Sequence, residues 1–346
     1  MHSGRLERFR LGTFSGAGNA FFPGLVLAGD LVVPLERLTP LLQQLDLRLE
    51  GAESVLRLLS HWQGNLAALK TIAATLSERD TLSPADFGAV PASKLHVHAP
   101  IHVPRQIFCT IANYRSHIVD SVRDAALSPR LGEPDTPECL AKADQIIQER
   151  LRGTTPYACF KLPSTIIGPT DPLEIPRHAQ KTDWELELGV VIGSPCRRAS
   201  RENAMSFVAG YTLVNDITVR ELVARPDLPR LGSDWLRSKN SPGFLPTGPW
   251  LVPADFVADP YALRLQLTLN GELMQSELAS DMMFDIAAQI EYLSQHAQLL
   301  PGDIICTGTP AGCGTRYKRF LKPGDVMECT ADGFGAQRTP CVPEHA

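Results

Sequence analysis

No uncharged apolar run in this chain approaches the ~20 residues of a membrane span. The opening Met1-His2-Ser3-Gly4-Arg5-Leu6-Glu7-Arg8 carries charge where a secretory signal needs an apolar stretch. The expectation is a soluble, unexported, cytoplasmic protein with no membrane partner. No C-x-x-C pair occurs among the eight cysteines, which indicates neither a disulfide framework nor a zinc site. They read as reduced thiols, several of them core filler. Lys and Arg are scattered and the formal net charge is -5, so no electrostatic footprint for nucleic acid exists. A small molecule is the expected partner.

With 44% hydrophobic and 21% charged residues, the 346-residue chain can bury one large core and a smaller one. Short apolar runs punctuated by Gly over 6–36 predict hairpin strands. Leu56, Leu58, Leu59, Trp62, Leu66, Leu69 and Ile72 recur at helical spacing, which predicts helices over 52–76. The Pro-punctuated stretch from Asp80 to Pro104 places a domain boundary near 98, dividing a small α+β unit, 1–98, from a larger domain, 99–346. In the larger part strands are expected at 106–111, 164–168, 186–193, 209–215, 263–269 and 303–306, with helices at 138–150 and 283–295. Residues 120–155 have the composition of a cover over a site. Two Pro-Gly-Asp segments, at 301–303 and 323–325, read as ordinary turns.

The run Asp183-Trp184-Glu185-Leu186-Glu187-Leu188-Gly189-Val190-Val191-Ile192 starts in strict alternation of acid and apolar residues and ends apolar on both faces. Side chains two apart on a strand share a face, so Glu185 and Glu187 point the same way, about 7 Å apart by strand geometry. An isolated E-x-E usually faces water. Here the strand continues into the interior, where two like charges raise each other's pKa unless a cation neutralises them. Oxygen donors without His or Cys suit a hard ion such as Mg²⁺. Asp216, closing the apolar run Tyr211-Thr212-Leu213-Val214-Asn215, is the best third acid, although alone it would read as a cap or turn residue.

Four ordered motifs then resemble the fumarylacetoacetate hydrolase family: Lys181 to Gly189, Tyr211 to Asp216, Gly243 to Trp250, and Gly302-Asp303-Ile304-Ile305-Cys306-Thr307-Gly308-Thr309-Pro310-Ala311-Gly312. The resemblance covers about Pro104 to Val342. It implies an α+β fold built on a mixed, rolled β-sheet, a homodimer, and Mg²⁺ or Mn²⁺ held by Glu185, Glu187 and Asp216. It also implies that Lys239 is the site lysine and that Tyr114, Arg220, Gly308 and Thr309 bind substrate. Ala112-Asn113-Tyr114-Arg115-Ser116-His117 looks like the family's N-Y-x-x-H, whose histidine activates water in hydrolytic members.

Asp120 stands where several members carry Glu three residues after that histidine, Val223 where Gln is common, and Ile111 where Gly is usual. Glu328 falls near where the hydrolase that gives the family its name has an acid supporting its histidine, so His117 would pair with Asp120 or Glu328. On pattern alone Glu328 is an exposed strand residue. The expected activity is hydrolysis of a C–C bond in a 2,4-dioxo acid such as an acylpyruvate, with His117 as base and an enolate stabilised by the ion. The alternatives are oxaloacetate decarboxylation or keto–enol isomerisation and hydration, which need no activated water, and a catalytically silent ligand-binding protein.

Overall fold

The structure is a computed structural model that describes residues 8–345 except 17, 19, 78–82, 126–135, 229 and 231. The first residues of the chain and part of the expected cover therefore lie outside the described residues. Three sheets of five, six and five strands dominate, with two short two-stranded pairs beside them.

The N-terminal sheet is a meander: Arg10–Ser15, Phe21–Leu27 and Leu31–Pro34 pair antiparallel, and His96–His98 adds to the outer edge of the first strand. Helices Val55–Leu59 and Trp62–Ser77 carry the apolar stripe read from the sequence, and Leu58, Leu59, Leu69 and Ile72 are fully buried. That core is shared, because Val191, Ala209 and Leu251 of the larger part pack into it. Leu11 and Leu251 exchange both backbone hydrogen bonds. The N-terminal unit is thus fused to one end of the central sheet.

In the central sheet the strand order is Val252–Pro253, Val208–Asn215, Leu186–Ile192, Ile304–Cys306, Ile107–Thr110, Ala158–Lys161. Leu186, Leu188, Val190 and Ile192 project from one face into the main core, with Leu265, Leu267, Met327 and Cys329 of the second five-stranded sheet. Glu187 lies on the opposite face, where the Ile107, Cys109, Val214, Ile304 and Cys306 cluster sits. One strand therefore divides grease from acid by alternation alone.

Several elements differ from the sequence reading, among them the strands Ala158–Lys161 and Glu272–Leu278, which were not among those expected. Glu328 is an exposed residue of the strand Val326–Ala331, as its pattern predicts, whereas the antiparallel partner strand Gly335–Pro343 was not anticipated. A helix over Arg115–Ala125 was also unanticipated, and it carries His117. The expected helices at 138–150 and 283–295 are observed as Pro137–Gly153 and Ile286–His296. Ile118 and Val122 of the 115–125 helix pack on Ala143 and Ile147 of the first of these, so the described parts of the expected cover are two packed helices. Among the described residues no helix is long and apolar enough to cross a membrane.

Candidate metal centre

Glu185, Glu187 and Asp216 converge: each offers a carboxylate oxygen within 4.8 Å of the others', and all three side chains are buried. The convergence follows from pairing. Leu186 is opposite Asn215 in the antiparallel register, so the residues flanking that pair meet at the same end of the sheet. Asp216 N donates to Glu185 O at 2.8 Å, and Glu185 N donates to Asn215 Oδ1 at 2.9 Å, which fixes both acid-bearing backbones.

The cations around the trio are unevenly shared. Lys239 Nζ lies 2.9 Å from Glu185 Oε2 and 2.6 Å from Asp216 Oδ2, and it donates to Thr218 Oγ1 at 2.8 Å. Arg220 reaches Glu185 Oε1 with Nη1 at 2.6 Å and Asp183 Oδ2 with Nε at 2.7 Å. Lys161, in no motif singled out above, places Nζ 2.6 Å from Asp216 Oδ1. Four buried carboxylates, Asp183 included, thus face three cations. Among the described residues Glu187 has no ion-pair partner, and its Oε2 accepts the Gly308 amide at 2.7 Å.

Protonation follows from this distribution. Burial would raise Glu185, but Arg220 and Lys239 beside it hold its pKa at about 2. Burial and then the neighbouring Asp216 carboxylate push Glu187 well above the carboxylate range. Burial would depress Lys239, yet Asp216 and Glu185 keep it well above the ordinary lysine value. The residues fit a hard divalent ion: Glu187 is a buried acid wanting a counter-charge. Asp216 Oδ1 receives no directed hydrogen bond and has Lys161 Nζ beside it at 2.6 Å.

Around the trio, the segment Thr307 to Cys313 lies along the acid strand. Thr307 Oγ1 donates to Leu188 O at 2.8 Å and Thr309 Oγ1 donates to Leu186 O at 2.9 Å. Gly308 has φ 96°, and a Cβ there would sit 2.8 Å from Asn113 Cβ, so only glycine lets this amide reach Glu187. Thr309 spends its hydroxyl proton on the strand. Among the described residues, Tyr114 Oη and Arg220 Nη2 are buried donors with no hydrogen-bond partner. Burial and then Glu187 raise the Tyr114 pKa, so the phenol stays protonated.

His117 is half-buried, and burial lowers its pKa below 6.5 despite the opposing pull of Glu185. The hydrogen-bond contact of its Nδ1 is Cys313 Sγ at 3.9 Å. Asp120 is committed elsewhere: it accepts from Gly312 N at 2.8 Å and forms an ion pair with Arg316. Glu328 is exposed; its neighbours Met327 and Cys329 are the ones turned inward toward Asn215. The structure therefore brings together Glu185, Glu187, Asp216, Lys239, Arg220, Gly308, Thr309 and Tyr114. It does not seat Asp120 or Glu328 on His117: the first is held by Arg316, and strand alternation turns the second outward.

Sequence reasoning missed Lys161 and Asp183. A lysine ending the otherwise apolar Ala158-Cys159-Phe160 run was the available signal for Lys161. Asp183, fully buried, seats the Arg220 guanidinium and accepts the Gly314 amide at 2.5 Å. All eight cysteines are free, and Cys306, Cys109 and Cys159 occupy matched positions on three adjacent strands of the acid-bearing face.

Residues 106–342 match the family model described as fumarylacetoacetate (FAA) hydrolase, C-terminal. The chain is 42% identical over 188 residues to a 2,4-didehydro-3-deoxy-L-rhamnonate hydrolase of Sphingomonas sp. (strain SKA58), covering 54% of this chain and 64% of that protein. It is 34% identical over 252 residues to a mitochondrial oxaloacetate tautomerase of Xenopus laevis, covering 72% of this chain and 69% of that one. The chain thus spans about two thirds of the length of these relatives. Among solved structures, a probable 2-hydroxyhepta-2,4-diene-1,7-dioate isomerase from Mycobacterium abscessus superposes with TM-score 0.68 at 29% identity, covering 98% of this chain and 100% of that one.

Proposed function

The chain belongs to the fumarylacetoacetate hydrolase family, and on that premise we propose that it hydrolyses a C–C bond in a 2,4-dioxo acid such as an acylpyruvate. Glu185, Glu187 and Asp216 would hold Mg²⁺, or Mn²⁺ in its place. The observation that carries this reading is Glu187, a buried acid with no ion-pair partner, set against an Asp216 oxygen with no directed donor. A divalent ion there supplies Lewis acidity that stabilises negative charge developing on an oxo acid's oxygens.

The side chains divide the remaining work. Arg220 Nη2 and Tyr114 Oη, both unpartnered, are free to donate to the substrate's carboxylate and keto oxygens. His117, kept neutral by burial, takes a proton from water as that water adds to the distal carbonyl carbon. The C–C bond then breaks with its electron pair passing to the enolate of the 2-oxo acid. Protonation of the enolate carbon yields a carboxylic acid and the 2-oxo acid.

A second reading, tautomerisation or decarboxylation of oxaloacetate, is favoured by one feature: Asp120 is tied to Arg316, and among the described residues no carboxylate hydrogen-bonds to His117. Enolate chemistry needs no activated water. Similarity to an oxaloacetate tautomerase points the same way. A panel of acylpyruvates and oxaloacetate, assayed with Mg²⁺ and again after EDTA, separates the readings. Metal-dependent release of pyruvate and a free acid supports hydrolysis; enol–keto exchange or CO₂ release alone supports the second. No turnover of any member would leave a silent binding protein.

A cytoplasmic setting suits eight free thiols. We also propose a homodimer through the apolar patch formed by Tyr157, Phe160 and Leu162 around the edge strand Ala158–Lys161, with Leu236 of the helix Trp235–Lys239. Phe160 and Leu236 are 62% and 67% exposed, more than any other large apolar side chains described. Light scattering across a dilution series, on the wild type and Phe160→Glu, tests it; a wild-type monomer at micromolar concentration rejects it.

A further inference from the structure

We infer that Lys161 is a resident counter-ion of Asp216, one that holds the acid trio together while no ion is bound and weakens the site's affinity for a divalent cation. The inference rests on reading the trio as a cation site.

Lys161 ends the edge strand, and alternation turns it inward while Phe160 faces out. Its stem is fully buried, and Nζ stands 5.9 Å from the centroid of the Phe244 ring. Nζ donates its directed hydrogen bond to Ile217 O at 3.0 Å. Its 2.6 Å approach to Asp216 Oδ1 is therefore a contact of charge more than of direction. The lysine is anchored by the backbone and does not depend on Asp216 for its place.

Asp216 is meanwhile neutralised from its other side, where Lys239 lies 2.6 Å from Oδ2. One carboxylate thus carries two buried lysines, and the nearby Glu187 carries none. Without an ion this arrangement limits repulsion inside the trio. With an ion, the anchored Lys161 charge sits beside a dication's ligand in a poorly screened interior, where like charges a few ångströms apart repel strongly. The lysine thereby stabilises the metal-free protein and loosens the metal-bound one. A lysine serving only to shape Asp216 would have the opposite effect on affinity, because its loss would disorder a ligand.

Mn²⁺ binding to the full chain, followed by electron paramagnetic resonance, distinguishes these signs. In Lys161→Met the affinity for Mn²⁺ should rise at least about tenfold, while the melting temperature in EDTA falls. Unchanged or weaker Mn²⁺ binding in the variant, with the wild type binding one ion, overturns the inference alone. Failure of the wild type to bind Mn²⁺ removes the cation-site reading and the inference together. Should the variant not fold, the wild type still decides. In ¹⁵N-lysine-labelled protein the Lys161 ammonium resonance should move on saturation with Mg²⁺, and a resonance that stays in place overturns the proposal.

Discussion

The strand Leu186–Ile192 and the helix Arg115–Ala125 meet at the same site, yet they hold their functional side chains by different means. Beside the strand, Glu185 and Asp216 are fixed by cross-strand register, backbone contacts and the cations Lys161, Lys239 and Arg220, at distances of 2.6–2.9 Å, while Glu187 on the strand accepts the Gly308 amide. On the helix, His117 has a weak thiol contact at 3.9 Å, and the acid one turn on is committed to Arg316. Rigid charge belongs to the wall that would stabilise an enolate, a step common to hydrolysis, tautomerisation and decarboxylation. The wall that would decide whether water is activated holds its histidine by fewer contacts.

The largest effect should come from breaking the rigid wall. Glu187→Gln is expected to lower metal affinity and all turnover by a factor on the order of 10³. Its melting temperature in EDTA should equal or exceed that of the wild type, because a buried unpaired acid is removed. A variant that keeps turnover would dissolve the contrast. Next, His117→Ala should lower hydrolysis by about 10²-fold or more and leave oxaloacetate enol–keto exchange within a few-fold of wild type. Equal loss of both, measured on one preparation, would mean that the walls do not divide the chemistry.

A pH profile sharpens the comparison further. Because burial lowers the His117 pKa, its base form persists below pH 6.5, so the acid limb of kcat/KM for hydrolysis should fall under 6.5. A limb above that value would imply a carboxylate partner after all. The smallest effect belongs to Asp120→Asn, which should cost about 1–3 kcal/mol in denaturant unfolding through loss of the Arg316 pair. The acid limb should stay where it is; a shift would show that Asp120 serves His117.

Much of the rigid wall was legible in the sequence for the reason that it is rigid. Strand alternation puts Glu185 and Glu187 on one face, and the apolar run after them shows that the face is interior. The run into Asn215-Asp216 announces a second buried strand ending in acid. Lys161 was not legible, because its partner lies 55 residues on and only sheet order brings the two together. The wall that holds His117 left a fainter trace. The helix at Arg115–Ala125 buries few residues, notably Ile118 and Val122, too sparse a stripe to announce a helix amid Arg, Ser, His and Asp. Asp120 looked like a partner for His117 because it stands where the family resemblance places an acid three residues after the histidine. Arg316, which takes it, arrives from the short helix Gly314–Tyr317, which no local pattern links to it.

Crystals grown with Mn²⁺ and a 2-oxo acid, measured at the manganese absorption edge, test the central claim most directly. The account predicts one anomalous peak per chain within bonding distance of Glu185, Glu187 and Asp216, with the acid's oxygens completing the coordination. Density for the acid with no anomalous peak between those three carboxylates, or a peak elsewhere in the chain, would contradict it.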